Sequence, residues 1–132
     1  MNRLPIIAAV GLGAVAMLAA APASAQRGGW RTIAYKSVSG GADTDRFNVP
    51  GGRRWQQVRL CVFNAPLRMR DFDIRFDNGQ RQDVRVRERI RAGRCTRNID
   101  LNGRVRDIDW IRLRYEPIRR GFTRPLVRVQ AR

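Results

Sequence analysis

Five arginines are the residues of this sequence whose type and spacing best suit binding chemistry. They lie at every second position of two segments and comprise Arg85, Arg87, Arg89, Arg112 and Arg114. Residues two apart on a β-strand share one face, so each segment would present its guanidinium groups together. The guanidinium group is a planar fork of donors that matches the oxygens of phosphates and carboxylates. If the two segments converge, the pattern predicts an anion-binding surface.

Carboxylates also occur two residues apart, in the pairs Asp43/Asp45, Asp71/Asp73 and Asp107/Asp109. On a strand such residues lie ~7 Å apart, a separation found between the carboxylates of glycosidases. Neighbouring arginines, however, favour the ionised form, which cannot serve as a general acid. The sequence also contains no histidine, the commonest general base and metal ligand. Pairing of Arg with Asp across strands, on their solvent-exposed faces, is the simpler interpretation, and we predict neither an enzyme nor a cofactor.

A calcium site is the other use considered for one of these pairs. Asp43 and Asp45 follow Gly40 and Gly41, and oxygen ligands in a flexible loop suit calcium. The adjacent Arg46 would oppose a cation, so no metal is predicted.

Cys61 and Cys95 are the only cysteines. In an exported protein such a pair predicts a disulfide, which requires Cα atoms within about 7 Å. Closing this loop would stabilise the fold by roughly 3–4 kcal/mol. A redox couple is the alternative, but the spacing is not C-x-x-C.

The first 25 residues have the pattern of a secretory signal peptide. Arg3 precedes an apolar run over residues 6–21, and Ala23, Ser24 and Ala25 form a cleavage site. The apolar run is shorter than the ~20 residues of a membrane-spanning helix. We therefore predict a periplasmic or secreted protein with one domain at residues 26–132.

Charge indicates the kind of partner. The chain has 27 Lys+Arg against 11 Asp+Glu, and removing Arg3 with the leader leaves 26 against 11, a net charge of +15. This excess favours acidic partners and disfavours self-association, so we expect a monomer. The candidate partners are lipid phosphates, acidic glycans and an acidic protein; nucleic acid shares the chemistry but lies outside the predicted compartment. The alternative is a structural envelope protein whose charge serves solubility only.

Strand periodicity extends through the sequence after the leader. Inward residues are expected at Ile33 and Tyr35 in a first strand, and further rows alternate with polar residues: Val58, Leu60 and Val62; Phe72, Ile74 and Phe76; Val84 and Val86; Ile111, Leu113 and Tyr115. Turn residues separate the segments at roughly ten-residue spacing. The pattern predicts an all-β protein, a single small antiparallel β-sandwich or barrel-like domain of seven to nine short strands.

One hairpin can be assigned a register from sequence. A three-residue loop at residues 77–79 pairs Phe72 with Val84, and it requires Gly79 at positive φ. The same register pairs Ile74 with polar Gln82.

Three tryptophans, Trp30, Trp55 and Trp110, could stack on nucleic-acid bases. In a small sandwich they are more simply explained as core or core-edge residues.

Short segments at residues 45–49, 84–86, 90–93, 97–101, 106–108 and 111–115 complete the pattern. Together with the leader, they resemble small exported proteobacterial proteins of unknown function. The resemblance covers most of the chain after the leader and implies a β-sandwich in the cell envelope. It implies no catalytic residues.

Overall fold

The computed structural model describes residues 29–132, which contain strands and no helix. The strands are β1 (Arg31–Ser37), β2 (Thr44–Asn48), β3 (Gln57–Phe63), β4 (Leu67–Phe76), β5 (Arg81–Ile90), β6 (Arg94–Cys95), β7 (Ile99–Asp100), β8 (Ile108–Tyr115) and β9 (Leu126–Ala131). Within this range, no helical segment could cross a bilayer. The predicted signal peptide and its cleavage site before Gln26 lie outside the described residues.

The strands form two antiparallel sheets. The five-stranded sheet has the order β1-β9-β3-β6, with β7 also paired to β3, and the four-stranded sheet has the order β2-β8-β4-β5. Alternate side chains of both sheets meet in one apolar core. The prediction of an all-β fold is confirmed, and of its two forms the sandwich is correct.

The inward rows follow the sequence alternation. The nine residues expected to be largely buried are all buried: Leu60, Val62, Phe72, Ile74, Val84, Val86, Ile111, Leu113 and Tyr115. In the hairpin of β4 and β5, Phe72 lies opposite Val84 and Gly79 has a φ of 90°. The predicted three-residue loop is therefore confirmed, including the pairing of Ile74 with Gln82.

The expected inward position of Tyr35 is wrong, because its side chain is 70% exposed. A register shift between Thr32 and Ala34 changes the face that the rest of β1 turns to the core. Ala34 and Lys36 then lie opposite the buried residues of β9. Ile33 is only partly buried.

The segment after β5 crosses from one sheet to the other. Its two-residue strands β6 and β7 both pair with β3, which places Cys95 directly opposite Cys61. The two cysteines form a disulfide with their Cα atoms 3.9 Å apart, as predicted. Thr96, which is buried beside it, donates its backbone N–H to the carbonyl of Leu60 at 2.8 Å.

Candidate anion-binding surface

The outer face of the four-stranded sheet carries most of the predicted arginines. A depression on this face, called here the arginine depression, is lined by five arginines, three aspartates and one valine: Arg81, Arg85, Arg87, Arg112, Arg114, Asp71, Asp73, Asp83 and Val84. The arginines come from β5 and β8, which lie on either side of β4. Strand order thus brings together two segments that are distant in sequence.

The structure unites four of the five predicted residues and separates one. Arg85, Arg87, Arg112 and Arg114 line the arginine depression, whereas Arg89 lies farther along β5, opposite Arg68. The sequence did not single out Arg81, which precedes Arg85 by four residues and shares its alternation.

The two arginines of β8 are held by the carboxylates of β4. Arg112 lies 2.8 Å from Asp73 and Arg114 lies 3.3 Å from Asp71, and each pair is directly cross-strand. The expectation of cross-strand Arg–Asp pairing is confirmed at these positions. Both carboxylates are therefore already engaged by guanidinium groups, which fixes the arginines on the sheet but reduces their net charge.

The arginines of β5 are the less compensated part of the depression. Within residues 29–132, Arg81, Arg85 and Arg87 form no ion pair. Arg87 has a φ of 44°, and it lies beside a register shift of β4 between Met69 and Asp71. Asp83, opposite Asp73, is the one acidic residue of β5 that lines the depression. The excess positive charge of the face therefore lies along β5.

Trp110 lies on the same outer face, because its cross-strand neighbours are Asn48 and Arg75. Yet it is only 6% exposed. Four guanidinium groups lie within 6 Å of its ring: Arg46 at 4.8 Å, Arg81 at 5.5 Å, Arg112 at 5.7 Å and Arg75 at 5.9 Å. Trp110 is thus a core-edge residue that anchors arginines, and its ring is covered against stacking by a ligand. The sequence held a signal for this, since alternation from Ile111 already puts Trp110 on the arginine side.

The basic surface continues beyond the arginine depression. A second depression shares Asp71, Arg87 and Arg114 with it and is further lined by Arg68, Met69, Arg70 and Glu116. Arg68 pairs with Glu116 at 3.7 Å. The arginine-lined surface therefore reaches the start of the loop between β8 and β9.

Asp45, from another of the spaced carboxylate pairs, has turned into the sandwich and is buried. Its carboxylate accepts hydrogen bonds from the Ser39 N–H at 2.7 Å, the Ser39 hydroxyl at 2.9 Å and the Tyr115 hydroxyl at 2.5 Å, and it pairs with Lys36 at 3.1 Å. Burial raises the pKa of Asp45, but the hydrogen bonds from Tyr115, Ser39 and Lys36 outweigh it, so the net pKa is lowered. Burial, followed by the bond to Asp45, raises the pKa of Tyr115.

This arrangement bears on the calcium alternative. Both oxygens of Asp45 already accept protein hydrogen bonds, while Asp43 is exposed. Across the described part of the chain, no group of three or more His, Cys, Asp or Glu residues could hold a metal ion.

Fold and surface together define a small disulfide-bonded β-sandwich with an arginine-covered outer sheet face. The chain belongs to the family described as "Domain of unknown function (DUF2541)", which matches residues 11–131. A comparison with curated proteins finds no match.

Among solved structures, the chain is similar to Pseudomonas aeruginosa AlgX. The likeness covers 77% of this chain and 26% of AlgX, with 10% sequence identity and a TM-score of 0.47. The chain thus matches about a quarter of that protein.

Proposed function

We propose that this protein is a periplasmic or secreted binding module for anionic partners, and that the arginine depression is its binding surface. The observation that carries the proposal is the convergence of Arg85, Arg87, Arg112 and Arg114 around one depression. The disulfide supports export, since such bonds persist in oxidising compartments. Lipid phosphates, acidic glycans and acidic proteins offer the oxygens that guanidinium groups bind.

The arginines of β8 and those of β5 differ in their ion pairing, and this difference supports the proposed role. Arg112 and Arg114 are oriented by Asp73 and Asp71, whereas Arg85 and Arg87 are exposed and form no ion pair within residues 29–132. Oriented guanidinium groups lose less freedom on binding, and uncompensated ones supply the attraction. Such a surface recognises partners by their charge and discriminates little between partners of equal charge density.

A short DNA duplex is a suitable probe, because it presents phosphates at regular spacing. For about five phosphate contacts, the slope of log K against log salt would be roughly −4 to −5. The double variant Arg85→Gln/Arg87→Gln leaves the ion pairs of β8 intact. It should weaken binding and reduce the magnitude of that slope by about 2.

The matched control is Arg53→Gln/Arg54→Gln, which removes the same charge from an exposed loop. If both double variants lose affinity equally, net charge alone is responsible and the proposed surface is wrong. If the parent binds with no salt dependence, anion binding through arginines is itself wrong.

A structural role without a ligand is the second candidate, and the covering of Trp110 favours it. Four arginines shield this ring from water, and two more side-chain pairs link β4 to β8. In that case Arg85→Gln/Arg87→Gln would leave polyanion binding unchanged, while Arg112→Gln would lower stability. A hydrolase acting through Asp71 and Asp73 is disfavoured, since arginines already hold both carboxylates.

A further inference from the structure

The loop between β8 and β9 carries an exposed aromatic side chain among basic residues. Phe122 is 66% exposed and, with Tyr35, is one of two large apolar side chains so exposed within residues 29–132. A single exposed apolar residue is ordinary on a protein surface. Here, however, three arginines lie within three positions of it in sequence: Arg119, Arg120 and Arg124.

A tight turn shapes the tip of this loop. The N–H of Phe122 donates to the carbonyl of Arg119 at 3.1 Å, and Gly121 has a φ of 87°, which glycine adopts without strain. Phe122 lines depressions on two sides, one with Gly40, Gly41 and Arg124 and the other with Pro66, Pro117 and Thr123. Its ring therefore lies between two depressions.

The charges of the loop are uncompensated. Glu116, its only acidic residue, is paired with Arg68. In the described part of the chain, Arg119, Arg120 and Arg124 have no ion-pair partner. The side chain of Arg124 lies against Gly40, where an added Cβ would come within 3.0 Å of its Nε, so the loop is supported from the β1–β2 turn.

We infer that this loop docks on an anionic lipid surface. Phe122 enters the boundary between headgroups and acyl chains, and the three arginines contact lipid phosphates. Aromatic and basic residues combine in this way at bilayer surfaces, where burial of the ring and attraction to anionic lipids add. A soluble polyanion would satisfy the arginines but would leave Phe122 exposed. The site lies on another element than the arginine depression and shares no lining residue with it.

Vesicle binding tests the apolar half of the inference. The wild-type protein should bind vesicles of equal parts phosphatidylglycerol and phosphatidylcholine more strongly than vesicles of phosphatidylcholine alone. Phe122→Ala should weaken this binding by about tenfold, a loss typical of removing one buried aromatic contact. Tyr35→Ala, at the other exposed aromatic, should change it little. Wild-type and Phe122→Ala proteins with equal vesicle affinity would overturn the inference.

A fluorescent variant reports on insertion directly. Tryptophan emission of Phe122→Trp should shift to shorter wavelength with anionic vesicles and be quenched by brominated lipid, relative to the parent protein. Tyr35→Trp should show neither change. Absence of quenching in Phe122→Trp would overturn the inference. So would a finding that Phe122→Ala weakens binding to an immobilised acidic protein as much as it weakens binding to anionic vesicles.

The two sites fail separately. Phe122→Ala should bind the DNA duplex as the parent does, because it leaves the arginine depression intact. Failure of the duplex assay with the vesicle result preserved would remove the arginine depression as a binding surface and leave this inference standing. Preserved duplex binding without any vesicle binding would overturn this inference alone.

Discussion

Asp45 is a single residue that joins charge, burial and stability. Its carboxylate is almost fully buried and is bound by Ser39, Tyr115 and Lys36. These bonds lower the pKa of Asp45 in the folded state. The stabilisation that its carboxylate gives the fold is therefore complete above the unfolded-state pKa of about 3.9, and it is lost as the pH falls through the folded-state pKa. Asp45 therefore makes the fold sensitive to acid below about pH 4.

Asp45→Asn should remove that acid sensitivity. The amide cannot carry the charge that Lys36 and the hydrogen-bond donors stabilise, so we expect a loss of about 1–3 kcal/mol at neutral pH. The free energy of unfolding, measured by urea titration from pH 7 to pH 2, should fall less steeply in the variant than in the parent. Asp43→Asn, at an exposed neighbour, is the control and should keep the parent's profile. Parallel profiles for the parent and Asp45→Asn would contradict this prediction.

Residues of the site were predictable by type but not by environment. Alternation placed Arg112 and Arg114 on the outer side of their strand, and this is where they lie. For Asp45 the expected cross-strand pairing with arginine on a solvent-exposed face is wrong, because this carboxylate lies with Phe47 on the buried row of β2. Nothing in the sequence marks its partners there. Tyr115 lies 70 residues from it, so only the fold brings these two into contact, whereas Ser39 lies just six residues before it in the chain.

At the scale of elements, the period of two residues predicts the buried rows of β3, β4, β5 and β8 but not the irregularities of the strands. The β4–β5 hairpin could be registered because one loop length keeps apolar residues paired. The register shift in β1 could not be predicted, because no residue type between Thr32 and Ala34 requires a bulge. The alternation therefore predicts the wrong face for Tyr35, whereas the glycine at position 79 correctly predicts the turn of the β4–β5 hairpin.

Gly79→Ala should destabilise the hairpin, because its φ of 90° places an added Cβ in a strained conformation. We expect a loss of about 1 kcal/mol in the free energy of unfolding, measured by urea denaturation. Gly51→Ala is the control, since Gly51 has no positive φ and its Cβ would meet only Asp107 at 3.9 Å. Equal stability of the two variants would mean that the turn tolerates a side chain.

The disulfide ties the short strand β6 to the central strand β3. It links residues separated by 34 positions, so Cys61→Ala/Cys95→Ala should lower the free energy of unfolding by roughly 3–4 kcal/mol. Guanidinium denaturation of the double variant and of the reduced parent should give similar midpoints, both below that of the oxidised protein. An unchanged midpoint in both would show that pairing with β3 holds this segment without the covalent link.

At the scale of the molecule, the anion-binding surface depends on sheet order. β5 and β8 are not sequential neighbours, and both pair with β4. Sequence showed that Arg85 and Arg112 belong to strand faces, but it could not show that β4 lies between them. Convergence is thus a property of topology, and so is the separation of Arg89 from the other four.

Net charge should also govern the stability of the whole chain. With 26 basic and 11 acidic residues after the predicted leader, the folded protein repels itself, and salt should relieve this repulsion. The Debye length shortens from about 30 Å at 0.01 M to about 8 Å at 0.15 M salt. We therefore expect the melting temperature to rise between these sodium chloride concentrations, measured by calorimetry. A fall would show that the ion pairs of the surface outweigh the repulsion.

Pyrophosphate, added at low millimolar concentration in 0.15 M sodium chloride, separates bound anions from general screening. Ionic strength then changes little, so a further rise in melting temperature reports binding to the folded state. At ten times the dissociation constant, this stabilisation would be about 1.4 kcal/mol, or several degrees for a domain of this size. Arg85→Gln/Arg87→Gln should lose most of the pyrophosphate rise while keeping a rise with sodium chloride, and Arg53→Gln/Arg54→Gln should keep both. If the pyrophosphate rise survives in the first variant, the anions bind elsewhere on the molecule and the arginine depression is not their site.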